Sequence, residues 1–512
     1  MAPTRGNPIR QIWWAPLLCF GLALWLVQTE TLQLAEARAL DWRTRIRTFF
    51  QPPPDPRIVI ALFEDGTEAN MAPWPVNRAW HGRLNKFLAL EKAAVVTWDV
   101  ILDASRDDGG DAAMADDTRR AVQAGTKVVV GVSTSPVPVE LRPGAGGSTQ
   151  SLTNIEGDRR NIYGNDHALL PFPELRAAGW WGVVDVIRGR DGIIREIPLI
   201  VRVGDEYHPS LALQTLMVYL SVPAAEVRVK LGEAVYLPAP GRTWRIPIDY
   251  RGWILLNYRY DQPAGHPVFP THIYLELLLK INDYRVEKKP EAVPPPDLAG
   301  KIVFVGQTVT GKADAGPTPL GAFSPLVLVH ANLLNNLLAD DYARRAPEWL
   351  VWGLALLLGY GGSAWLAHRS AIILCGSTVL GVVAYAALAT GLWVSGSWWL
   401  PVVGPLLGYA GLQFTVIGRR ISQEQRAARH AVERHRDEEL PGDLQRLAHQ
   451  DPLHGKPSDD RPEQCPGDLL GLRGRGAPPD RPLLPASPER HERLDHDPAA
   501  QCLRRLARLG GR

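Results

Sequence analysis

Two carboxylates and an imidazole, Asp99, Asp314 and His330, are the residues of this chain best placed to do chemistry. Asp99 lies in the strand-forming run Ala93–Val100, Asp314 follows the run Lys301–Gly306, and His330 opens a helix-like stretch that ends at Leu338. Side chains at the C-terminal ends of parallel strands meet where open α/β sheets bind their ligands. Two carboxylates and an imidazole gathered there suit a small molecule or a metal ion. A plainer reading uses the same residues. Asp99 and Asp314 then cap helices or turns, and His330 is a satisfied buried side chain. Enzymatic chemistry finds less support. No Gly-x-Ser-x-Gly elbow, His-Glu-x-x-His pair or Walker loop occurs, so no catalytic residue, metal centre or cofactor is assigned.

The elements that must position these residues read as α/β. Arg57–Leu62, Ala93–Val100 and Lys127–Gly131 are strand-forming runs, separated by helical segments Trp80–Leu90 and Asp111–Ala124. Strands alternating with helices predict a parallel sheet covered on both faces. Trp74-Pro75 reads as packing with a rigid turn, Asp191-Gly192 as a β-turn, and 136–151 as a surface loop.

Around this domain the apolar residues fall in a one-plus-three pattern. The first stretch ends near Val27; the others are Leu350–Leu366, Ala371–Val394 and Trp398–Ile417. A cleaved signal peptide is the rival for the first, but no small-x-small cleavage site follows it cleanly. Arg5, Arg10, Arg369, Arg419 and Arg420 fall on one side, which the positive-inside rule makes cytoplasmic. Gly404 with Gly408, and Ser377 with Gly381, are small-residue pairs suited to helix contact, or simply reflect how common glycine is in membrane helices. The predicted organisation is an N-terminus over 1–11, a span over 12–30, an outer domain over 31–347 and three spans over 348–418. A linker helix over 419–440 and a tail over 441–512 complete it. The fold class is therefore an α/β extracytoplasmic domain on a four-span helical membrane region, with a mostly irregular cytoplasmic tail. Cys19 and Cys375 lie in spans and Cys465 and Cys502 in the tail, so the outer domain folds without disulfides. The net charge of +2 says little about partners.

At these residues the chain resembles the type-two CHASE family, extracellular sensor domains of bacterial signalling proteins. The resemblance rests on Asp41, Glu64-Asp65, Trp74-Pro75 with Arg78, Trp98-Asp99, and the run from Asp191-Gly192 to Arg195. It continues through Tyr207-His208-Pro209-Ser210, Leu256-Asn257-Tyr258, Gly300–Gly306, Asp314, Thr318-Pro319 and His330-Ala331-Asn332. It implies a receptor in the bacterial inner membrane, with its sensor in the periplasm. Arg78, Asp99, Asp314, His330 and Asn332 are then the candidate ligand contacts. The implied partners are the membrane, a second copy of the chain and an unidentified periplasmic ligand; nucleic acid is not expected.

The tail resembles the opening of a GGDEF domain, the diguanylate cyclase fold, at Asp451, Pro452, Leu453 and Gly455, with an echo of its signature at Gly510 and Gly511. The departures are chemical. The stretch from Leu483 to Glu489 carries prolines and no aspartate where the family places a metal-binding carboxylate. Mg and GTP would be cofactors only of an intact output domain. The expectation is a degenerate, truncated remnant following a linker helix that dimerises or stands as a single solvated helix. A histidine kinase, phosphorelay or adenylate cyclase sensor without its catalytic part is an alternative. So is a non-catalytic membrane partner protein. His430, His435 and His449 lack a phosphoacceptor context.

Overall fold

The structure, a computed structural model, describes residues 13–103, 105–106, 109–138, 151–259, 268–312, 314–366 and 369–438. The chain divides into two units, Met1–His435 and Arg436–Arg512; of the second, only the end of one helix is described. The GGDEF-like residues Asp451, Pro452, Leu453, Gly455, Gly510 and Gly511 lie outside the described residues, as do Arg5, Arg10 and most of the expected 136–151 loop.

In chain order the elements that matter here begin with α1 (Ala15–Leu26), α2 (Glu30–Thr48), β1 (Ile58–Phe63), α3 (Ala79–Leu90), β2 (Val95–Ile101), α4 (Gly110–Gln123), β3 (Lys127–Ser135) and β4 (Trp180–Val183). They continue as α5 (Leu211–Leu220), β5 (Thr271–Ile273), α6 (Tyr274–Ile281), β6 (Ile302–Gln307), α7 (Leu326–Leu338), α8 (Glu348–Leu366), α9 (Ala371–Gly396) and α10 (Val403–Glu438). Six strands run parallel in the order β5-β1-β6-β2-β3-β4, and His167–Leu169 adds an antiparallel strand at the end of β3. The pleat sends Ile58, Ile60 and Leu62 to one face, under α5 and α7, and Val59, Ala61 and Phe63 to the other, under α3, α4 and α6. Burying alternate residues on both faces is why these strands read as continuous apolar runs. Helices α3 and α4 approach closely because Gly82 has no Cβ, which would stand 2.6 Å from Met114 Cα.

The middle of the outer domain is richer in strands than its sequence indicated. Asn154–Glu156, Arg228–Lys230, Ala234–Ala239 and Arg242–Pro247 form a separate four-stranded sheet. Its strands are short and interrupted by turns, so their alternation is hard to read locally.

The membrane-side helices match the four expected spans only in part. Among the described residues, only α8 and α9 are individually long and apolar enough to cross a bilayer; α1 and α2 together make a third candidate, bent by 86° at their junction. The last expected span does not begin at Trp398. Trp398 and Trp399 instead pair in extended form with Arg344 and Arg345, and α10 starts at Val403 with Pro405 in its first turn. Nor is there a break at residue 419. Helix α10 runs through 36 residues, roughly 54 Å at ~1.5 Å per residue, so the expected span and linker are one rod.

Helix α1 packs into this bundle through its small-residue contacts. Gly408 faces Phe20, whose ring would lie 2.8 Å from an added Cβ, and Gly404 faces Val27 and Trp352. Gly381 accommodates Tyr409 of α10. A Cβ at Gly411 would lie 3.5 Å from the Cβ and Sγ of Cys19, within the ~3.5–4.5 Å that a disulfide spans. Gly411→Cys is therefore expected to cross-link to Cys19 on mild oxidation in membranes, shown by an intramolecular mobility shift on non-reducing gels. Failure to cross-link while both thiols remain reactive to maleimide would remove the α1–α10 contact.

Candidate functional site

The C-terminal edge of the sheet holds a cavity of about 340 Å³. Asp99 enters it from the end of β2, Asp314 from the loop after β6, Arg78 and His81 from the start of α3, and Arg106 from the loop after β2. Trp74 and Pro75 wall one side, joined by a cis peptide, with the Trp74 ring 4.9 Å from Phe63.

Asp99 is the chemically unusual member. Its side chain is 7% exposed, and no hydrogen-bond donor reaches its carboxylate among the described residues; it caps no helix. Burial, with the Asp314 charge nearby, pushes its pKa up to about 7. The nearest basic atom is Nε2 of His330 at 3.9 Å, beyond hydrogen-bond reach. Burial lowers His330 to about 4, so the ring is neutral at neutral pH and does not compensate Asp99. Asp314 stands at the solvent-exposed mouth, its pKa raised by surrounding protein against the lowering effect of Arg188.

Two arginines also line the cavity. Arg78 donates to Asp111 at 2.8 Å and stacks over Phe172. The Asp111 carboxylate also accepts the backbone N–H of Arg106, whose own guanidinium contacts only the Val76 carbonyl, at 3.4 Å, among the described residues. His81 bonds the Tyr274 hydroxyl at 2.9 Å and is lowered to about 3 by burial and by Arg78 and Arg106.

Thus Arg78, Asp99 and Asp314 line one cavity, with His330 behind Asp99. Asn332 does not join them. Two residues along α7 it turns to another face, donates to the Leu328 carbonyl and accepts from Arg259 N–H. His81 and Arg106 were not anticipated. His81 sits inside a helical run like any core residue, and Arg106 lies in a charged loop without a motif. No group of three His, Cys, Asp or Glu residues that could hold a metal converges among the described residues.

Several motif residues lie instead where the outer domain meets the membrane helices. Arg195 grips Asp41 of α2 with two hydrogen bonds of 2.7 Å and also holds Asp191 at 2.7 and 2.9 Å. Deeper in the junction, Arg47 of α2 donates to Ser397 Oγ at 2.7 Å, lies 3.4 Å from Asp341, and stacks over Trp393. Asn257 and Asp341 bind the same Ser397 hydroxyl. Arg43 donates to the Leu400 carbonyl at 2.6 Å, and Glu36 accepts from the backbone N–H of Val402 and Val403, capping α10 from another element. These hydrogen bonds, buried or part-buried, tie α2 to the 397–403 turn beside an apolar contact of Leu40 with Trp393 and Trp399. The segment 184–195 joins this clamp to the cavity, with Val184 lining the cavity, Arg188 acting on Asp314 and Arg195 on Asp41.

An α/β domain with a cavity at its sheet edge, clamped onto membrane-type helices, defines a sensor-type architecture. The CHASE2 domain family model matches residues 17–367. The chain belongs to the CHASE2 family, the extracytoplasmic sensor domains of signalling proteins. No curated protein and no solved structure matches it.

Proposed function

We propose that this chain is a multi-pass receptor of the bacterial inner membrane, with its sensor in the periplasm and output of the diguanylate cyclase type. The observation that carries this reading is the buried polar clamp of Arg43, Arg47, Asp341 and Ser397 between α2 and the turn joining α9 to α10. Buried charge networks resist sliding, because a displaced group loses its partners without regaining water. A shift of the outer domain therefore moves the turn, and the continuous α10 carries that displacement to the cytoplasmic side. A stimulus drives this only by favouring one arrangement over the other. In this reading α1 and α10 cross the membrane with α8 and α9, their contacts through Phe20, Gly404 and Gly408 forming a four-helix bundle. The charged end of α10 pairs with that of a second copy. Residues 441–512 lack the metal-binding carboxylate, and the purified chain is expected to make no cyclic di-GMP from GTP.

The test replaces 441–512 with an active diguanylate cyclase catalytic domain in the otherwise intact chain. Cyclic di-GMP output is expected to change on Arg47→Ala and on Arg195→Ala, with the protein still in the membrane. Output indifferent to both substitutions would sink the coupling. Turnover by the original chain would sink the degenerate-tail reading.

A further inference from the structure

We propose that the Asp99 cavity binds a small zwitterion, an α-amino acid, with its ammonium held by Asp99 near Asp314 and its carboxylate turned toward Arg106. The proposal rests on the receptor reading only in taking this cavity as the sensing site; binding is measured without any output.

Size comes first. About 340 Å³ is near the lower end of the ~300–1,000 Å³ typical of ligand pockets and is ample for an amino acid. Charge comes next. A carboxylate that is 7% exposed and receives no donor is costly unless something supplies one. A second carboxylate at the mouth makes the missing partner a cation. The protein offers no metal-type set, since no third His, Cys, Asp or Glu converges on the pair among the described residues. The missing cation must bring its own donors, and an ammonium brings three.

Asp111 serves both Arg78 through its guanidinium and Arg106 through its backbone. The Arg106 guanidinium makes no ion pair among the described residues, so one positive charge remains for a ligand carboxylate. Trp74, Val100 and Leu102 supply apolar lining for a short side chain.

The groups packed toward Asp99 fit this polarity, with Arg188 of the 184–195 segment, which acts on Asp314, as the one opposing charge among the described residues. His330 from α7 and His81 from α3 are neutral at neutral pH. Arg78 is neutralised by Asp111, Asp314 adds negative charge, and Arg106 lines the same cavity. Protons compete with an ammonium for Asp99, whose pKa lies at about 7. Affinity is therefore expected to fall ~10-fold between pH 8 and pH 6, following the ionised fraction.

The test uses the full chain in nanodiscs and titrates the protein amino acids, read by calorimetry and by Trp74 fluorescence. For L-valine, isobutylamine lacks the carboxylate and isovalerate lacks the ammonium; equivalent pairs are made for whichever amino acid binds best. Saturable binding of at least one small amino acid is expected, weaker for its amine and absent for its acid. Asp99→Asn and Arg106→Gln are each expected to lower affinity ~30-fold or more. Asp314→Asn at the exposed mouth is expected to weaken it less, and tests the same end should Asp99→Asn fail to fold. No binding by any amino acid, equal binding of the acid analogue, or full affinity in Arg106→Gln would overturn the proposal. Those results would leave the clamp test untouched, because that test needs no ligand.

Discussion

Arg47→Ala is expected to destabilise the full chain by about 2–3 kcal/mol and to disconnect the outer domain from the membrane helices. The side chain is 1% exposed and serves Ser397, Asp341 and the Trp393 ring together. Breaking a buried ion pair usually costs ~3–5 kcal/mol because the abandoned charge cannot rehydrate. The lower figure follows because Asp341 keeps its ion pair with Arg259, Nε at 2.5 Å, and the Ser397 hydroxyl as a donor at 2.7 Å. Arg47→Met separates packing from charge. It retains the apolar stem against Trp393, so it is expected to lose less stability than the alanine variant yet to uncouple as fully. Thermal unfolding by intrinsic fluorescence gives the first comparison, and the cyclase-bearing chimaera gives the second. A methionine variant with normal output would show that contact with Trp393, rather than the polar clamp, transmits the displacement.

Asp99→Asn is expected to stabilise the ligand-free protein at alkaline pH. An unfolded aspartate titrates near ~3.9, whereas Asp99 in the folded protein titrates at about 7. Between these values the folded state holds the proton that the unfolded state has released. The contribution of Asp99 to stability is thus fully present below about pH 4 and is lost as pH rises through about 7. Asparagine nearly matches the shape and removes the charge, so its advantage opens across that window. It reaches at most ~4 kcal/mol at pH 8, from ~1.36 kcal/mol per pKa unit. Unfolding midpoints at pH 4.5 and pH 8 decide the matter. An advantage of equal size at both would mean that Asp99 is not held uncompensated. The same substitution is expected to lower amino-acid affinity ~30-fold or more, which sets stability against function at one residue.

The sheet was legible because its strands are buried on both faces and so stand out as unbroken runs such as Ile58–Phe63 and Ile302–Gln307. The small-residue contacts at Gly404, Gly408 and Gly381 were legible for a related reason, since close helix packing tolerates few residue types. Asp99 and Asp314 were recognisable because strand ends in parallel sheets converge. The convergence of Arg106 and His81 on them was not, since neither carries a local pattern.

The largest gap concerned the junction. Arg43, Arg47 and Glu36 carry no motif in the sequence, yet α2 turns 86° from α1 and buries these charges, leaving Trp42, Phe49 and Phe50 exposed. Periodicity reports which residues share a face of a helix, and hydropathy guesses which face is inside. That guess fails where the neighbour is a set of polar turns and helix ends needing hydrogen bonds. The composition and order of residues thus sufficed for the parallel sheet, the apolar helices and the family. The partners of Asp41, Arg47 and Asp99 lie 154, 350 and 215 positions away, at Arg195, Ser397 and Asp314. Such pairings depend on how the chain closes in space, and no local spacing encodes them.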